Sequence, residues 1–173
     1  DENPIRGVDP TIWRKNFFYK DGEFKELDFE LSYESVINNW GEVLSGHNVY
    51  KLNNTLNIGF SGYDMNNKGE VIGERFLYRD GELIDINGIY MAYSINDKSQ
   101  VVGYLIQDHH YGFLWENGIT IRIDDLWKAF DINNNGTIVG QYKYSGGNVY
   151  PGVWKNGEAI KLPIPGSADA IND

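Results

Sequence analysis

The chain repeats one phrase, an Asn-rich turn followed by a short apolar strand. Four copies start at Ile37, Met65, Ile95 and Ile132 as INNWGEVLSG, MNNKGEVIGE, INDKSQVVGY and INNNGTIVGQ, and a shortened copy occupies Ile171-Asn172-Asp173. A repeat of this length indicates a small supersecondary unit that buries its apolar face only by stacking on its neighbours. The repeat therefore predicts an architecture more directly than it predicts a chemistry.

A second, aromatic phrase lies between the Asn turns. It reads FFYKDGE, NVYKLNN, FLYRDGE, FLWENGI and GVWKNGE, with aromatic residues at Tyr19, Tyr50, Tyr78, Trp115 and Trp154. Each is a β-rich stretch that ends in a dipeptide able to adopt the positive φ of a tight hairpin turn. Alternating stretches such as ITIRID, from Ile119, follow the hairpins. Because the aromatics return in register, we expect them to fill the layers between units rather than bind a ligand.

One unit thus holds four short antiparallel strands, which is the composition of a propeller blade. We predict an all-β fold: a five-bladed β-propeller in a single domain spanning residues 1–173. The predicted repeats are 10–30 with 167–173, 33–59, 61–87, 90–124 and 127–163. The chain begins with predicted strands at 11–14, 16–20 and 23–29, and we expect a strand at 167–172 to complete their blade.

Closing the ring in this way leaves no unpaired sheet edge. Two alternatives remain open at this stage. The last strand completes a blade of a neighbouring molecule, or the chain is a fragment cut within a repeat.

Charge and composition limit the partners. The formal net charge of the 173 residues is −10 and the pI is near 4.7, so nucleic acid is a poor partner. There is no cysteine, and no apolar run approaches the roughly 20 residues of a membrane helix. We expect a monomer that does not insert into a membrane and that needs no cofactor.

The phrases AYSINDKSQVVGY, GFLWENGITIRI and AFDINNNGTIVGQY resemble the HAF repeats of bacterial extracellular proteins. The resemblance covers about residues 35–173, with a half repeat at 17–27, and is most specific in the third and fourth units. It implies an exported, propeller-like repeat protein whose leader peptide has been removed. The expected location is therefore extracellular.

Metal and catalytic motifs are weak. The turns at Asp64 and Asp131 begin like D-x-N-x-N-G calcium loops, but the twelfth positions are Arg75 and Tyr142 rather than a carboxylate. The Asn and Gly residues are better explained as side-chain-capped turns, so no metal site is predicted. The chain has no G-x-S-x-G, H-E-x-x-H or P-loop motif, so no catalytic residue is predicted.

One aromatic residue breaks the register. Trp40 stands in the first Asn turn where the other copies have Lys68, Lys98 and Asn135. Loops on rigid scaffolds often carry binding. We therefore predict a non-catalytic module that binds a glycan or a protein through one rim. The predicted binding residues are Trp40, Asn67, Asp97 and Asn134.

Two other functions are considered. The first is a polysaccharide hydrolase that uses Asp64 and Asp131 as carboxylates in the central channel. The second is a structural subunit that donates its terminal strand to build a polymer.

Overall fold

The fold was analysed in a computed structural model, which describes residues 16–20, 22–27, 31–32, 35–51, 54–143 and 148–173. The chain divides into two units, Asp1–Glu34 and Ser35–Asp173. In the first unit, β1 (Asn16–Lys20) and β2 (Glu23–Leu27) form an antiparallel hairpin. The strand predicted at 11–14 lies outside the described residues.

The second unit contains four sheets, each of four antiparallel strands joined in chain order. The first sheet is β3 (Val36–Ile37), β4 (Val43–Ser45), β5 (Asn48–Lys51) and β6 (Asn54–Asn57). The second is β7 (Asp64–Met65), β8 (Val71–Gly73), β9 (Phe76–Arg79) and β10 (Glu82–Asp85). The third is β11 (Met91–Ile95), β12 (Val101–Ile106), β13 (His110–Glu116) and β14 (Ile119–Ile123). The fourth is β15 (Leu126–Ile132), β16 (Ile138–Tyr142), β17 (Tyr150–Lys155) and β18 (Glu158–Lys161).

The prediction of an all-β fold is confirmed, and four antiparallel strands per repeat are confirmed for the four sheets of the second unit. In the first unit the described residues form a two-stranded hairpin. The hairpin dipeptides also behave as predicted. Asp80-Gly81, Asn117-Gly118 and Asn156-Gly157 each join the third and fourth strands of a sheet, and both residues of each pair have positive φ. That geometry belongs to the two-residue turn whose twist matches the flanking strands.

The sheets pack face to face in chain order because both faces of their central strands are apolar. Val71 and Ile72 are neighbours in β8, yet Val71 packs toward the first sheet and Ile72 toward the third. Val101 and Val102 divide in the same way between the second and fourth sheets. Successive strand residues point to opposite faces, so an unbroken apolar strand is the signature of a sheet buried on both sides.

Three of the aromatic residues that return in register lie in these layers. Trp115 is buried between the second and third sheets, and Tyr78 and Trp154 pack partly buried against the two other core clusters. These three positions agree with the predicted packing role. The side chain of Tyr19 lies outside the described residues.

The end of the chain differs from its predicted form. No strand is assigned within 162–173, and the described backbone shows no main-chain pairing for 167–173. Side chains of the fourth repeat bond this segment. Asp131 accepts a hydrogen bond from the Ile171 N–H, and Asn133 donates one to the Asn172 carbonyl. The closing strand stays a prediction.

The glycine of the repeated VVG phrase has a packing reason that the sequence alone did not reveal. A β-bulge in the first strand of the third sheet, between Ala92 and Ser94, brings a carbonyl against the neighbouring strand. A Cβ atom built on Gly103 would lie 2.0 Å from the Met91 carbonyl oxygen. The fourth sheet repeats the arrangement, since a Cβ atom on Gly140 would lie 2.0 Å from the Lys128 oxygen. The glycine permits the close approach of the two strands.

We predict that Gly103→Ala lowers the free energy of unfolding by about 2–3 kcal/mol, because the strands must separate to admit the methyl group. The control is Gly81→Ala, where nothing lies within 4 Å of the added carbon but φ, unlike that of Gly103, is positive. This control should cost about 1–2 kcal/mol, the usual strain of a left-handed residue. Urea denaturation measures both changes. A Gly103→Ala variant as stable as the wild type would contradict the packing argument.

Candidate functional site

Each Asn turn is closed by the side chain of its own first asparagine. Asn96 Oδ1 accepts hydrogen bonds from the backbone N–H groups of Lys98 and Gln100, both at 3.0 Å. The same two bonds form around Asn38, Asn66 and Asn133. The capped turn predicted from the Asn and Gly pattern is therefore present, and it uses the oxygen that a metal ion would need.

The amide nitrogen of the same asparagine reaches the next turn. Its Nδ2 donates to the main-chain carbonyl of the equivalent asparagine one repeat later. The four bonds run from Asn38 to Asn66 at 3.4 Å, Asn66 to Asn96 at 3.0 Å, Asn96 to Asn133 at 3.0 Å, and Asn133 to Asn172 at 2.9 Å. We call this series the asparagine ladder. It joins five successive turns by one side chain per repeat.

A parallel series runs one residue later. The backbone N–H of each residue donates to the side chain of its equivalent in the following turn. The bonds are Asn39 to Asn67, Asn67 to Asp97, and Asp97 to Asn134, each at 2.8 Å, and Asn134 to Asp173 at 2.6 Å. The side chains of the predicted binding residues Asn67, Asp97 and Asn134 thus accept the hydrogen bonds of this second series.

The Asn turns and the ends of the strands that lead into them line a polar cavity of about 370 Å³. All five Asn turns contribute to its wall, including 36–39 at one end of the repeats and 171–173 at the other. The titratable side chains in the wall are all carboxylates, at Asp64, Asp97, Asp131 and Asp173.

Two of these carboxylates meet at a single hydroxyl. Ser94 Oγ lies 3.0 Å from Asp64 Oδ2 and 2.7 Å from Asp131 Oδ1. A serine hydroxyl has one proton, so it donates to one carboxylate at a time. The second contact is favourable only when the other carboxyl group is itself protonated. When both carboxylates are ionised, they compete for this single hydroxyl proton.

The pKa of Asp64 agrees with this geometry. Burial raises it above the ordinary value of 3.8, and the nearby charge of Asp131 raises it further. Hydrogen bonds from the backbone N–H groups of Ile95 and Met65 and from Ser94 act in the opposite direction, but burial exceeds them. Asp64 therefore keeps its proton to a higher pH than an exposed aspartate.

Trp40 occupies the outer side of the rim formed by the turns. Its side chain is 74% exposed, although both of its nitrogens are bonded. The backbone N–H donates to Asn38 Oδ1 at 3.1 Å, and the indole Nε1 donates to the Asn67 carbonyl at 2.7 Å. An exposed indole that is fixed at its polar edge presents its ring face to solvent without needing to be ordered on binding.

The four predicted binding residues all lie on the edge of the molecule formed by the Asn turns, which we call the rim. Asn67, Asp97 and Asn134 also line the cavity, whereas Trp40 does not. Sequence reasoning missed Ser94 and the pairing of Asp173 with Asn134. It also missed Glu70, a buried carboxylate that bonds Asn66, Arg79 and Ser99. Glu42, Glu70 and Gln100 each stand four residues after a ladder asparagine and accept a hydrogen bond from its Nδ2. Alignment of the repeats would have identified these three as equivalent residues.

Within the described ranges, no three His, Cys, Asp or Glu side chains are grouped so as to hold a metal ion. In the same part of the chain, no helix is long and apolar enough to cross a membrane. Comparison of the chain with protein-family models, with curated proteins and with solved structures found no match.

The raised pKa of Asp64 gives a prediction with a definite sign. A group whose pKa is higher in the folded state stabilises the fold at acidic pH, and this contribution is lost as pH rises through the folded pKa. The free energy of unfolding of the wild type should therefore fall, relative to that of Asp64→Asn, as pH rises above the ordinary value of 3.8.

Urea denaturation at a series of pH values measures this difference. The control is Asp80→Asn, an exposed turn residue with positive φ that asparagine tolerates. Its pH profile should match that of the wild type over this window. Parallel profiles for the wild type and Asp64→Asn would show that no proton is retained at this site.

Proposed function

We propose that the protein is a non-catalytic binding module that recognises a glycan with the rim of its Asn turns. The observation that carries the proposal is Trp40. A large aromatic side chain left 74% exposed, with its indole N–H already bonded, offers a ring face ready to stack on a sugar. The polar groups of the adjacent turns lie beside it. With the resemblance to HAF repeats, the proposal includes export from the cell.

The proposal includes a five-bladed β-propeller as the scaffold. Supporting it, the four sheets pack on one another in chain order, and all five Asn turns line the same cavity. In the proposed ring, 167–173 joins the amino-terminal hairpin as the fifth blade, which removes the last open edges. Such a ring would hold the binding rim rigid, which lowers the entropy lost on binding.

The hydrolase alternative has less support. Asp64 and Asp131 do lie within reach of one hydroxyl, as paired catalytic carboxylates can. However, all four of their oxygens accept backbone N–H groups, from Met65, Ile95, Ile132 and Ile171. Carboxylates that fix the neighbouring strands in this way have a structural task already.

The strand-donating polymer also has less support than the binding module. Ile171, Asn172 and Asp173 are held by the fourth repeat of the same chain, through three side chains. A segment that is engaged within its own chain is not available to a neighbour.

We predict that Trp40→Ala weakens glycan binding about tenfold, a change of about 1.4 kcal/mol, because it removes the stacking face. The assay is capture on an array of neutral and anionic polysaccharides, followed by calorimetry on any glycan retained. Trp40→Phe keeps a ring but lacks the N–H that orients it, so it should bind with intermediate affinity.

The control is Ile119→Ala, which removes another exposed apolar side chain, 66% exposed, from the outer strand of the third sheet. It should bind as the wild type does. An array on which nothing is retained, or equal retention of the wild type and Trp40→Ala, would refute the proposal.

A further inference from the structure

We infer that the rim binds an anionic saccharide, through a strip formed by Trp40, Lys68 and Lys98. The inference rests on the proposed function and adds the ligand class, a sugar that carries carboxylate or sulfate groups. These three residues occupy the same position in three successive Asn turns, two residues after the ladder asparagine. The ladder therefore fixes them side by side along one edge.

The side chains lean in the same direction along that edge. Trp40 reaches the following turn through its indole N–H, which donates to the Asn67 carbonyl at 2.7 Å. Lys68 likewise reaches the turn after its own, where its Nζ donates to Ser99 Oγ at 3.1 Å. The indole and the ammonium group are therefore successive members of one strip. Lys98 occupies the same position in the third turn.

Lys68 and Lys98 differ from neighbouring cationic residues because neither forms an ion pair with a carboxylate of the described residues. Lys51 pairs with Glu42 at 2.7 Å, and Arg79 pairs with Glu70 at 2.6 Å. Lys68 and Lys98 are exposed, and neither is in an ion pair with any carboxylate of the described residues. An ammonium group in this situation is free to bond an anion from solution, and such charge-assisted bonds are stronger than neutral ones.

One carboxylate lies close to the strip, at Asp97. Its oxygens are already engaged, Oδ1 by the Asn67 N–H and Oδ2 by the side-chain amides of Asn67 and Asn134. These neutral donors leave Asp97 with its charge of −1. Glu42 and Glu70 are balanced by their own cations. Lys68 and Lys98 together with Asp97 therefore give this edge a net charge of +1, on a chain whose formal charge is −10. An indole face followed by two ammonium groups matches a sugar ring followed by acidic substituents.

The test uses the full chain with three hexasaccharide probes: hexagalacturonate, which carries carboxylates, a sulfated hexasaccharide, and neutral maltohexaose. Calorimetry should show that at least one acidic probe binds more tightly than maltohexaose. Lys68→Gln and Lys98→Gln should each weaken binding of that probe about fivefold, as expected for one exposed charge contact. Preference between the two acidic probes identifies whether carboxylate or sulfate is the group recognised.

The matched control is Lys155→Gln, the same charge change at an exposed residue of β17. It should leave the affinity unchanged. Equal losses from Lys155→Gln would mean unspecific attraction and would overturn the inference. Tighter binding of maltohexaose, lost in Trp40→Ala but kept in both rim lysine variants, would overturn the anionic ligand while leaving the glycan module standing. Failure of every probe and of the polysaccharide array would remove both.

Discussion

The structure depends on one side chain per repeat, the asparagine of the ladder. Its Oδ1 caps two backbone N–H groups of its own turn, and its Nδ2 donates to the carbonyl of the next turn. Asn66, Asn96 and Asn133 are buried, so an apolar replacement would leave several polar backbone groups without partners. An asparagine suits this position because its amide carries the acceptor and the donor on two separate atoms, so the bonds within the turn and the bond to the next turn form together.

The ladder also determines what the rim can do. Residues that serve as rungs, such as Asn67 and Asp97, have most of their polar capacity occupied by neighbouring repeats. The residue that follows each of these in the chain can differ from one repeat to the next, because its side chain is not part of the ladder. Trp40, Lys68 and Lys98 stand at that position. A rigid repeated frame with one variable position per turn is a suitable arrangement for binding, and it explains why we assign recognition to the variable residues.

Much of this fold was predictable from local patterns. The Asp-Gly and Asn-Gly dipeptides predicted the outer hairpins, and the repeated phrases predicted four short strands in each repeat. Burial of the central strands on both faces, as at Val101 and Phe113, was found only in the structure. Contacts between repeats were not predictable in the same way. The sequence showed that Asp64 and Asp131 occupy equivalent positions in two repeats. It did not show that Ser94 contacts both, because that contact requires β7, β11 and β15 to lie side by side. The segment 167–172 was predicted as a strand because its residues match the repeat. The first strand of the blade that it would complete, 11–14, lies outside the described residues.

The proposed scaffold requires the five turns joined by the ladder to close into a ring, with the first and last turns side by side. Disulfide formation tests it directly, since the chain has no cysteine of its own. Asn134→Cys with Asp173→Cys joins two turns that are already bonded, and should form an intramolecular disulfide. Asn39→Cys with Asp173→Cys joins the first and last turns, and the account predicts that it forms as readily, by mass spectrometry of the oxidised monomer. A disulfide in the first pair but none in the second would show that the ring is open.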